Sequence, residues 1–155
     1  MKFRWPKRRH RLTRRGLELR QATTADVDTL SDLYESCMRP YAEAFYPWDT
    51  HRFRDDFNPA EIEVLAFQDA IIGLLRTKVS EEFVYLAEVQ IREGFRNAGL
   101  GTELVKLTVQ RATALDLPVR LRVLRNNPAR QLYERLGFQQ IAEGACDLVF
   151  QRPAA

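Results

Sequence analysis

The chain has 155 residues, of which 45% are hydrophobic and 29% are charged, and its formal net charge is +3. This size and balance predict one globular domain with a sizeable core and exclude an intrinsically disordered chain. No stretch approaches the roughly 18 uncharged apolar residues of a membrane span, and the basic N-terminus lacks the apolar run of a secretory signal. The two cysteines and two histidines do not have the spacing of metal ligands, so we expect no metal site and a reducing, cytoplasmic compartment.

The positive charge is concentrated at the N-terminus. Residues 1–16 contain eight basic side chains and no acidic one, whereas the rest of the chain has more acidic than basic residues. We therefore expect a basic flexible arm over residues 1–15 and one domain over residues 16–155. Phe3 and Trp5 could stack on nucleic-acid bases, but a solvated arm without a partner is the commoner outcome for a charge run. Both interpretations stay open.

The first half of the domain contains three kinds of pattern. Residues 17–20 alternate between apolar and polar side chains, which predicts a short strand, and Thr24 followed by acidic residues predicts a helix start. The aromatic segment from Pro40 to Pro59 has no regular period and predicts a short helix and loops over a pocket. Two mainly apolar segments, residues 62–67 and 70–79, flank a Gln68-Asp69 turn, which is typical of a β-hairpin.

The second half alternates between strands and helices, so the chain as a whole predicts an α/β domain with a mixed sheet. The helix that begins at Ala129 stops at Gly137, a typical C-terminal residue. The predicted elements are a strand over 83–91, a helix over 100–116, a strand over 119–123, a helix over 129–136, and two final strands over 138–142 and 147–151.

The junction after strand 83–91 carries the first chemical signal. Gly99 and Gly101 open a helix, whose first turn has unpaired N–H groups and a partial positive charge that suit a phosphate. Arg96 adds a full charge. The segment is neither a Walker A loop nor a dinucleotide fingerprint, because no Gly-Lys-Ser/Thr follows and Leu104 stands where a third glycine is needed. A helix that simply begins after a tight turn would contain the same glycines, so both interpretations stay open here.

A second segment, residues 123–138, places two asparagines at a strand end and a tyrosine on the next helix. Together the two segments resemble the GNAT superfamily of N-acetyltransferases. Residues 96–101 fit its acetyl-CoA motif Arg/Gln-x-x-Gly-x-Gly/Ala, and residues 126–138 fit its Asn-x-x-Ala-x-x-Leu-Tyr-x-x-x-Gly-Phe element. The resemblance covers nearly all of the chain except the arm. It implies a GNAT-like fold with a mixed, mostly antiparallel central β-sheet flanked by helices.

The resemblance also implies acetyl-CoA as the co-substrate and a primary amine as the acceptor. Backbone N–H groups at the phosphate loop would hold the pyrophosphate, and the free edge of strand 83–91 would pair with pantetheine as another strand would. Asn126 would hydrogen-bond the pantetheine, although it could instead cap the helix entered at Pro128. The implied cofactor-binding residues are Val89, Ile91, Arg96, Asn97, Ala98, Gly99, Leu100, Gly101, Thr102 and Asn126.

Tyr133 and Glu88 are the candidate catalytic residues. The resemblance implies that Tyr133 protonates the departing thiolate, a transfer that is uphill by about 1.5 pKa units or about 2 kcal/mol. Tyr133 also lies on the apolar stripe of its helix, so packing in the core is the alternative. Glu88 is the candidate base that deprotonates the amine, with a surface carboxylate of no function as the alternative. Glu43 and Asp49, in the aromatic segment, are further candidate bases.

These observations predict an acetyl-CoA-dependent N-acetyltransferase that transfers the acetyl group directly to a primary amine, without a metal. One alternative is a non-catalytic acyl-CoA-binding module, held on nucleic acid or a ribosome by the arm. Another is a transferase for a longer acyl group. A homodimer remains open, and no membrane partner is expected. The aromatic segment would hold a cationic amine or serve as a hydrophobic lid on the core.

Overall fold

A computed structural model describes residues 10–11 and 16–154 of the chain. Its helices are α1 (Val27–Ala42), α2 (Arg52–Asp55), α3 (Leu100–Ala114) and α4 (Ala129–Arg135), with short 3-10 turns at Thr24–Asp26 and Pro59–Glu61. Its strands are β1 (His10–Arg11), β2 (Leu17–Gln21), β3 (Ile62–Phe67), β4 (Ala70–Val79), β5 (Val84–Ile91), β6 (Val119–Leu124), β7 (Gln139–Glu143) and β8 (Asp147–Arg152).

These strands form a single sheet in the order β1-β2-β3-β4-β5-β6-β8-β7. Neighbouring strands are antiparallel except β5 and β6, which are parallel. The predicted α/β fold, with a mixed and mostly antiparallel sheet flanked by helices, is therefore confirmed. Among the described residues, no helix has the length and apolar character needed to cross a membrane.

β1 lies within the segment that the sequence predicts to be a basic arm. His10 pairs with Leu19 and Arg11 pairs with Glu18, so these two residues extend the sheet at its edge. Residues 1–9 and 12–15, including the two aromatic side chains considered for base stacking, lie outside the described residues. The domain boundary at residue 16 stays a prediction.

The helices cover both faces of the sheet. α1 and α2 pack on one face, where Leu30, Leu33 and Phe53 join strand residues in a buried cluster. α3 and α4 pack on the other face in a larger cluster. β3 is buried on both faces up to its last residue, and its sequence is apolar apart from Glu63, which is itself buried.

α1 extends further than the sequence predicts. The sequence predicts a short helix and loops from Pro40 to Pro59, because this aromatic segment has no regular period. The helix instead continues to Ala42, which is fully buried, and the N–H of Glu43 still donates to the Arg39 carbonyl at 3.1 Å. Pro40 lies in the last turn, so its missing donor affects only the end of the helix, while the buried contact of Ala42 holds that end on the core.

β5 and β6 diverge in the middle of the sheet. They pair only over Val84–Leu86 and Val119–Leu121. Beyond Leu86, β5 continues to Ile91 along β4, whereas β6 remains paired with β8 on its other side. A gap therefore opens between the two parallel strands, and it joins the two faces of the sheet.

A β-bulge in β5 coincides with this divergence. Thr77 pairs with Leu86 and Arg76 pairs with Glu88, so Ala87 is an extra residue in β5. A bulge bends its strand and increases the local twist. The bulge thus turns β5 away from β6 at the point where the gap begins.

Candidate active site

A cavity of about 890 Å³ passes through the gap between β5 and β6. Because the gap joins the two faces of the sheet, Tyr133 reaches the cavity from the α4 face and Glu88 reaches it from the α1 face. Ala98 packs against the core, and neither it nor Asn126 is among the described residues that line the cavity. The predicted site residues that line it are Glu88, Val89, Ile91, Arg96, Asn97, Gly99, Leu100, Gly101, Thr102 and Tyr133.

The free edge of β5 presents main-chain groups to the gap. The N–H of Arg92 donates to the Ile72 carbonyl of β4 at 2.7 Å, so the main-chain groups of the preceding residue, Ile91, face away from β4. The Ile91 carbonyl accepts from Arg96 Nε at 2.9 Å on that side. By alternation, Val89 faces the same way. This geometry supports the expectation that an extended ligand with amide groups pairs with this edge.

The loop before α3 fits a phosphate. Gly99 has a φ of +81° and lies just before the helix, and its carbonyl accepts from Glu103 N–H at 3.0 Å. The N–H groups of residues 100–102 precede this first helical bond, so the helix supplies no acceptor for them. A Cβ at Gly101 would have only the Leu132 side chain within 4 Å, at 3.8 Å. Gly101 therefore leaves open space at the helix N-terminus, where a phosphate is favoured.

Arg96 ties this loop to two other elements. Besides its bond to the Ile91 carbonyl of β5, its Nη2 lies 3.4 Å from Sγ of Cys37 on α1. Cys37 Sγ in turn lies 3.5 Å from the same carbonyl. The guanidinium lines the cavity while holding the loop against β5 and α1. A role in cofactor binding would thus add to a structural role that the sequence alone does not indicate.

Glu88 is a half-buried carboxyl in a mixed polar and aromatic environment. Its Oε2 accepts from Gln90 Nε2 at 2.7 Å. Arg76 faces it across the strand pair, but the Arg76 Nε donates to Glu61 at 2.9 Å. Burial raises the pKa of Glu88 to about 7, against the opposing effects of the Gln90 hydrogen bond and the charges of Arg76 and Arg52. A carboxyl that titrates near neutrality favours the base interpretation over that of an idle surface charge.

Tyr133 lies both in the core and at the cavity, which are the two positions expected for it. It is 9% exposed and its ring packs edge-on against Phe138 at 5.8 Å, yet it also lines the cavity. Burial, with a smaller contribution from the Glu88 charge, raises the pKa of Tyr133 above its ordinary value. The hydroxyl therefore stays protonated at physiological pH. The same burial weakens it as an acid, but a thiolate beside it would be destabilised by desolvation in the same way.

The two adjacent asparagines lie in different environments. Asn126 is exposed and its Nδ2 donates to the Tyr41 carbonyl at 3.1 Å, which links the β6–α4 loop to the end of α1. Asn127 lines the cavity, and its Oδ1 accepts from Ala129 N–H at 3.0 Å. The side-chain bond to the start of α4 therefore comes from Asn127, one residue before the N-cap Pro128, which corrects the alternative that placed a cap at Asn126. The cofactor role of Asn126 stays a prediction.

The aromatic segment contributes rings to the lining of the cavity, but its two carboxylates lie outside that lining. Tyr41, Tyr46 and Phe53 line the cavity, as do Tyr34 from α1 and Tyr85 from β5. The two carboxylates of the segment lie elsewhere. Glu43 forms an ion pair with Arg39 on the protein surface, and Asp49 Oδ1 accepts from His51 N–H at 2.9 Å. Neither is among the described residues that line the main cavity.

The sequence does not single out Tyr85 and Gln90 as site residues. Gln90 could have been found from it, since a residue two positions after Glu88 shares its face in any strand. Tyr85 could not, because the extra residue at Ala87 shifts the alternation and brings positions 85 and 88 to one face.

Known proteins match this chain in family and in fold. The model of the Acetyltransferase (GNAT) family matches residues 27–138, while no curated protein matches the sequence. The PaiA N-acetyltransferase from Thermoplasma acidophilum, solved in complex with coenzyme A, is 15% identical, with a TM-score of 0.72 over 88% of this chain and 98% of that chain.

Two further solved structures have the same fold at low identity. The ribosomal-protein-S18-alanine N-acetyltransferase from Escherichia coli is 17% identical, with a TM-score of 0.71 over 90% of this chain and 94% of that chain. An acetyltransferase from Thermus thermophilus is 21% identical, with a TM-score of 0.70 over 88% and 96% of the two chains. At these identities the likeness concerns the fold and not the acceptor.

Proposed function

Because the chain belongs to the GNAT family of acetyltransferases, we propose that it transfers an acetyl group from acetyl-CoA directly to a primary amine. The observation that carries this proposal is the gap between β5 and β6. It brings a half-buried carboxyl, Glu88, and a buried hydroxyl, Tyr133, into one cavity that also contains the N-terminus of α3. The proposal includes a cytoplasmic location, which the free state of Cys37 and Cys146 supports.

The residues of the cavity fit the two polar parts of acetyl-CoA. The N–H groups of residues 100–102 would hold the pyrophosphate, and the main chain at Val89 and Ile91 would pair with the pantetheine amides. When bound, acetyl-CoA supplies an acetyl group activated as a thioester. Binding both substrates in one cavity supplies the proximity on which direct transfer depends.

Glu88 would remove a proton from the acceptor ammonium, since only a neutral amine has a lone pair for attack. A free ammonium has a pKa of about 10.4, so transfer to a carboxyl with a pKa of about 7 is uphill by roughly 5 kcal/mol. Desolvation of the ammonium in the cavity lowers its pKa and reduces this difference. A carboxyl of ordinary pKa would face a barrier larger by about 3 kcal/mol.

Tyr133 would hold a proton at its hydroxyl on the other side of the gap. Its raised pKa keeps that proton in place at physiological pH. Transfer to a thiolate released into the cavity would be uphill by about 1.5 pKa units for the free groups, and burial of the thiolate would offset the raised pKa of the tyrosine. Glu88 and Tyr133 approach from opposite faces of the sheet, so one accepts a proton and the other donates one without competing for it.

The test combines cofactor binding with turnover. Acetyl-CoA is expected to raise the melting temperature of the full chain, and thiol release should depend on an added amine. Glu88→Gln is expected to keep acetyl-CoA binding and to lower kcat by about 10²–10⁴-fold. Binding without thiol release from any amine would instead support the non-catalytic acyl-CoA-binding module. A parallel thermal-shift series with longer acyl-CoAs decides the acyl preference.

A further inference from the structure

The end of the cavity on the α1 face has walls of aromatic and thioether side chains. We call this end the acceptor chamber and define it by Tyr34, Met38, Tyr46, Phe53 and Tyr85, which line the cavity together with Glu88. Burial is the main cause of the raised pKa values of Tyr34 and Tyr85, and the Glu88 charge contributes to both, which shows that both rings lie near the carboxylate.

The wall of the chamber that α1 and α2 form is stabilised by packing between aromatic rings. The Tyr34 ring stacks on Phe53 with a centroid distance of 4.9 Å and an interplanar angle of 26°. The Tyr34 ring also contacts the ring of Trp48, at a centroid distance of 5.5 Å. These contacts join α1, α2 and the loop between them. The wall is therefore a preformed, flat, largely apolar surface, suited to bury the body of a ligand without reorganisation.

The carboxylates that line the cavity differ in their partners. Asp56 lies 3.9 Å from Arg52, and Asp147 lies 3.5 Å from Arg122. Glu88 is hydrogen-bonded by a neutral amide. The chamber therefore offers one carboxylate to an incoming ammonium, while the other two have guanidinium groups beside them.

The charged side chains at the opening of the chamber are mainly positive where they meet solvent. Arg52, Lys78 and Arg122 line the cavity with side-chain exposures of 70%, 54% and 59%. Asp56, beside Arg52, also lines the cavity and is 66% exposed, whereas the acids beside the last two cations, Glu61 and Asp147, are only 26% and 29% exposed. A ligand with a second positive charge would meet these cations, whereas a neutral or anionic end would not be repelled.

We propose that the acceptor is a primary amine with a single positive charge on an aromatic or large apolar body, and that the cationic opening disfavours polyamines. In this arrangement the ammonium binds against Glu88, the body lies on the tyrosine walls, and Arg52, Lys78 and Arg122 act as specificity determinants. The inference rests on the proposed function, because it takes the chamber as the amine site of that reaction.

The first experiment compares three probe amines on the full chain. Acetyl-CoA-dependent thiol release is measured with 2-phenylethylamine, ethylamine and spermidine. Calorimetry measures the binding of the same amines with and without CoA. Burying a phenyl group is expected to favour 2-phenylethylamine over ethylamine by a factor of about 10–100. Spermidine is expected to bind at least about tenfold more weakly than 2-phenylethylamine, despite its greater charge.

The second experiment changes the chamber at two exposed places. Tyr46 is 41% exposed, so Tyr46→Ala should fold, and it should lower the 2-phenylethylamine to ethylamine ratio of kcat/KM about threefold or more. Arg52→Glu and Arg122→Glu should each raise the spermidine to 2-phenylethylamine ratio about tenfold. Lys106→Glu makes the same charge change on the exposed surface of α3, outside the cavity lining, and should leave both ratios unchanged.

The outcomes separate the inference from the proposed function. Loss of acetyl-CoA binding, or no thiol release with any amine, would overturn the function. The ranking of the amine affinities tests the inference whether or not thiol release is observed. Equal or tighter binding of ethylamine or spermidine would overturn it, and so would an unchanged spermidine ratio in both arginine variants.

Discussion

Glu88 and Gln90 lie two residues apart on one face of β5, joined by the 2.7 Å hydrogen bond from Gln90 Nε2. This bond stabilises the charged form of the carboxyl and so opposes the effect of burial on its pKa. The tyrosines nearest to Glu88 have pKa values raised above their ordinary values. They do not titrate near neutral pH. The rise of kcat/KM with pH through about 7 should therefore report Glu88 alone.

Replacing Gln90 with Met removes the donor at similar volume. We expect the apparent pKa in the kcat/KM profile to rise by about 1 unit, because a hydrogen bond to a charged group contributes about 1.5–3 kcal/mol. Thiol-release assays across the range from mildly acidic to alkaline pH measure the shift. Gln110→Met, on the exposed surface of α3, makes the same substitution away from the cavity and should not move the profile. A Gln90→Met enzyme with lower kcat but an unmoved pKa would show a merely structural role.

Tyr133→Phe removes one oxygen and leaves the ring that packs against Phe138. If the hydroxyl donates a proton to the departing thiolate, kcat should fall by about 10²–10⁴-fold while the melting temperature and acetyl-CoA affinity stay close to those of the parent. Phe138→Leu serves as a control, since it disturbs the same packing contact but keeps the hydroxyl. Unchanged turnover of a good acceptor by Tyr133→Phe would show that Tyr133 contributes to packing in the core and not to catalysis.

At the scale of elements, two glycines of the site region differ in what surrounds them. A Cβ at Gly101 would reach only the Leu132 side chain, at 3.8 Å, whereas a Cβ at Gly73 would lie 2.8 Å from the Gln90 carbonyl oxygen of the neighbouring strand. Gly101 thus keeps space for a ligand, and Gly73 keeps β4 and β5 together. The sequence alone does not distinguish these two roles, because it shows a glycine at both positions.

The paired substitutions Gly101→Ala and Gly73→Ala should separate these roles. Gly101→Ala should leave stability unchanged or raise it by up to about 1 kcal/mol, because alanine favours helix, yet weaken acetyl-CoA binding by about tenfold or more. Gly73→Ala should cost about 2 kcal/mol or more, because the strands must separate. Chemical denaturation and calorimetry with acetyl-CoA measure both effects. Full acetyl-CoA affinity in a folded Gly101→Ala protein would contradict the phosphate-site interpretation.

The elements that could be predicted are those defined by local chemistry. The hairpin over residues 62–79 follows from two mainly apolar segments around a turn, and the start of α3 follows from its glycines. The divergence of β5 from β6 could not be predicted, because it depends on pairing between strands far apart in the chain and on an extra residue at Ala87 that no side chain marks. The bond to the start of α4 comes from Asn127 rather than Asn126, and this likewise could not be predicted, because Asn126 donates instead to the distant carbonyl of Tyr41.

At the scale of the whole molecule, the same sheet contains two carboxylates in contrasting states. Glu63 accepts from both terminal nitrogens of Arg111 at 2.7 and 3.0 Å, an interaction that fastens α3 to β3. Among the described residues, the hydrogen-bond donor to Glu88 is the neutral amide of Gln90, and burial raises the pKa of Glu88 to about 7. The first carboxylate contributes to the stability of the fold, whereas the second is kept at a cost that a catalytic role would explain.

Glu88→Gln should therefore stabilise the protein at alkaline pH. The folded-state pKa of about 7 lies above the ordinary value of 4.5, so between these values the folded chain binds more protons than the unfolded chain. The free energy of unfolding then falls as pH rises through this window, by at most about 3 kcal/mol. Glutamine does not titrate, so the variant should exceed the parent in stability above the folded-state pKa and approach it near the ordinary one. Urea denaturation at one pH above the folded-state pKa and at another near the ordinary pKa measures the difference.

Glu63→Gln, the matched change at the paired carboxylate, should instead destabilise the fold by about 3 kcal/mol at alkaline pH. A Glu88→Gln protein less stable than the parent at alkaline pH would show that the Glu88 charge is compensated in the fold, and the expected titration near neutrality would be wrong.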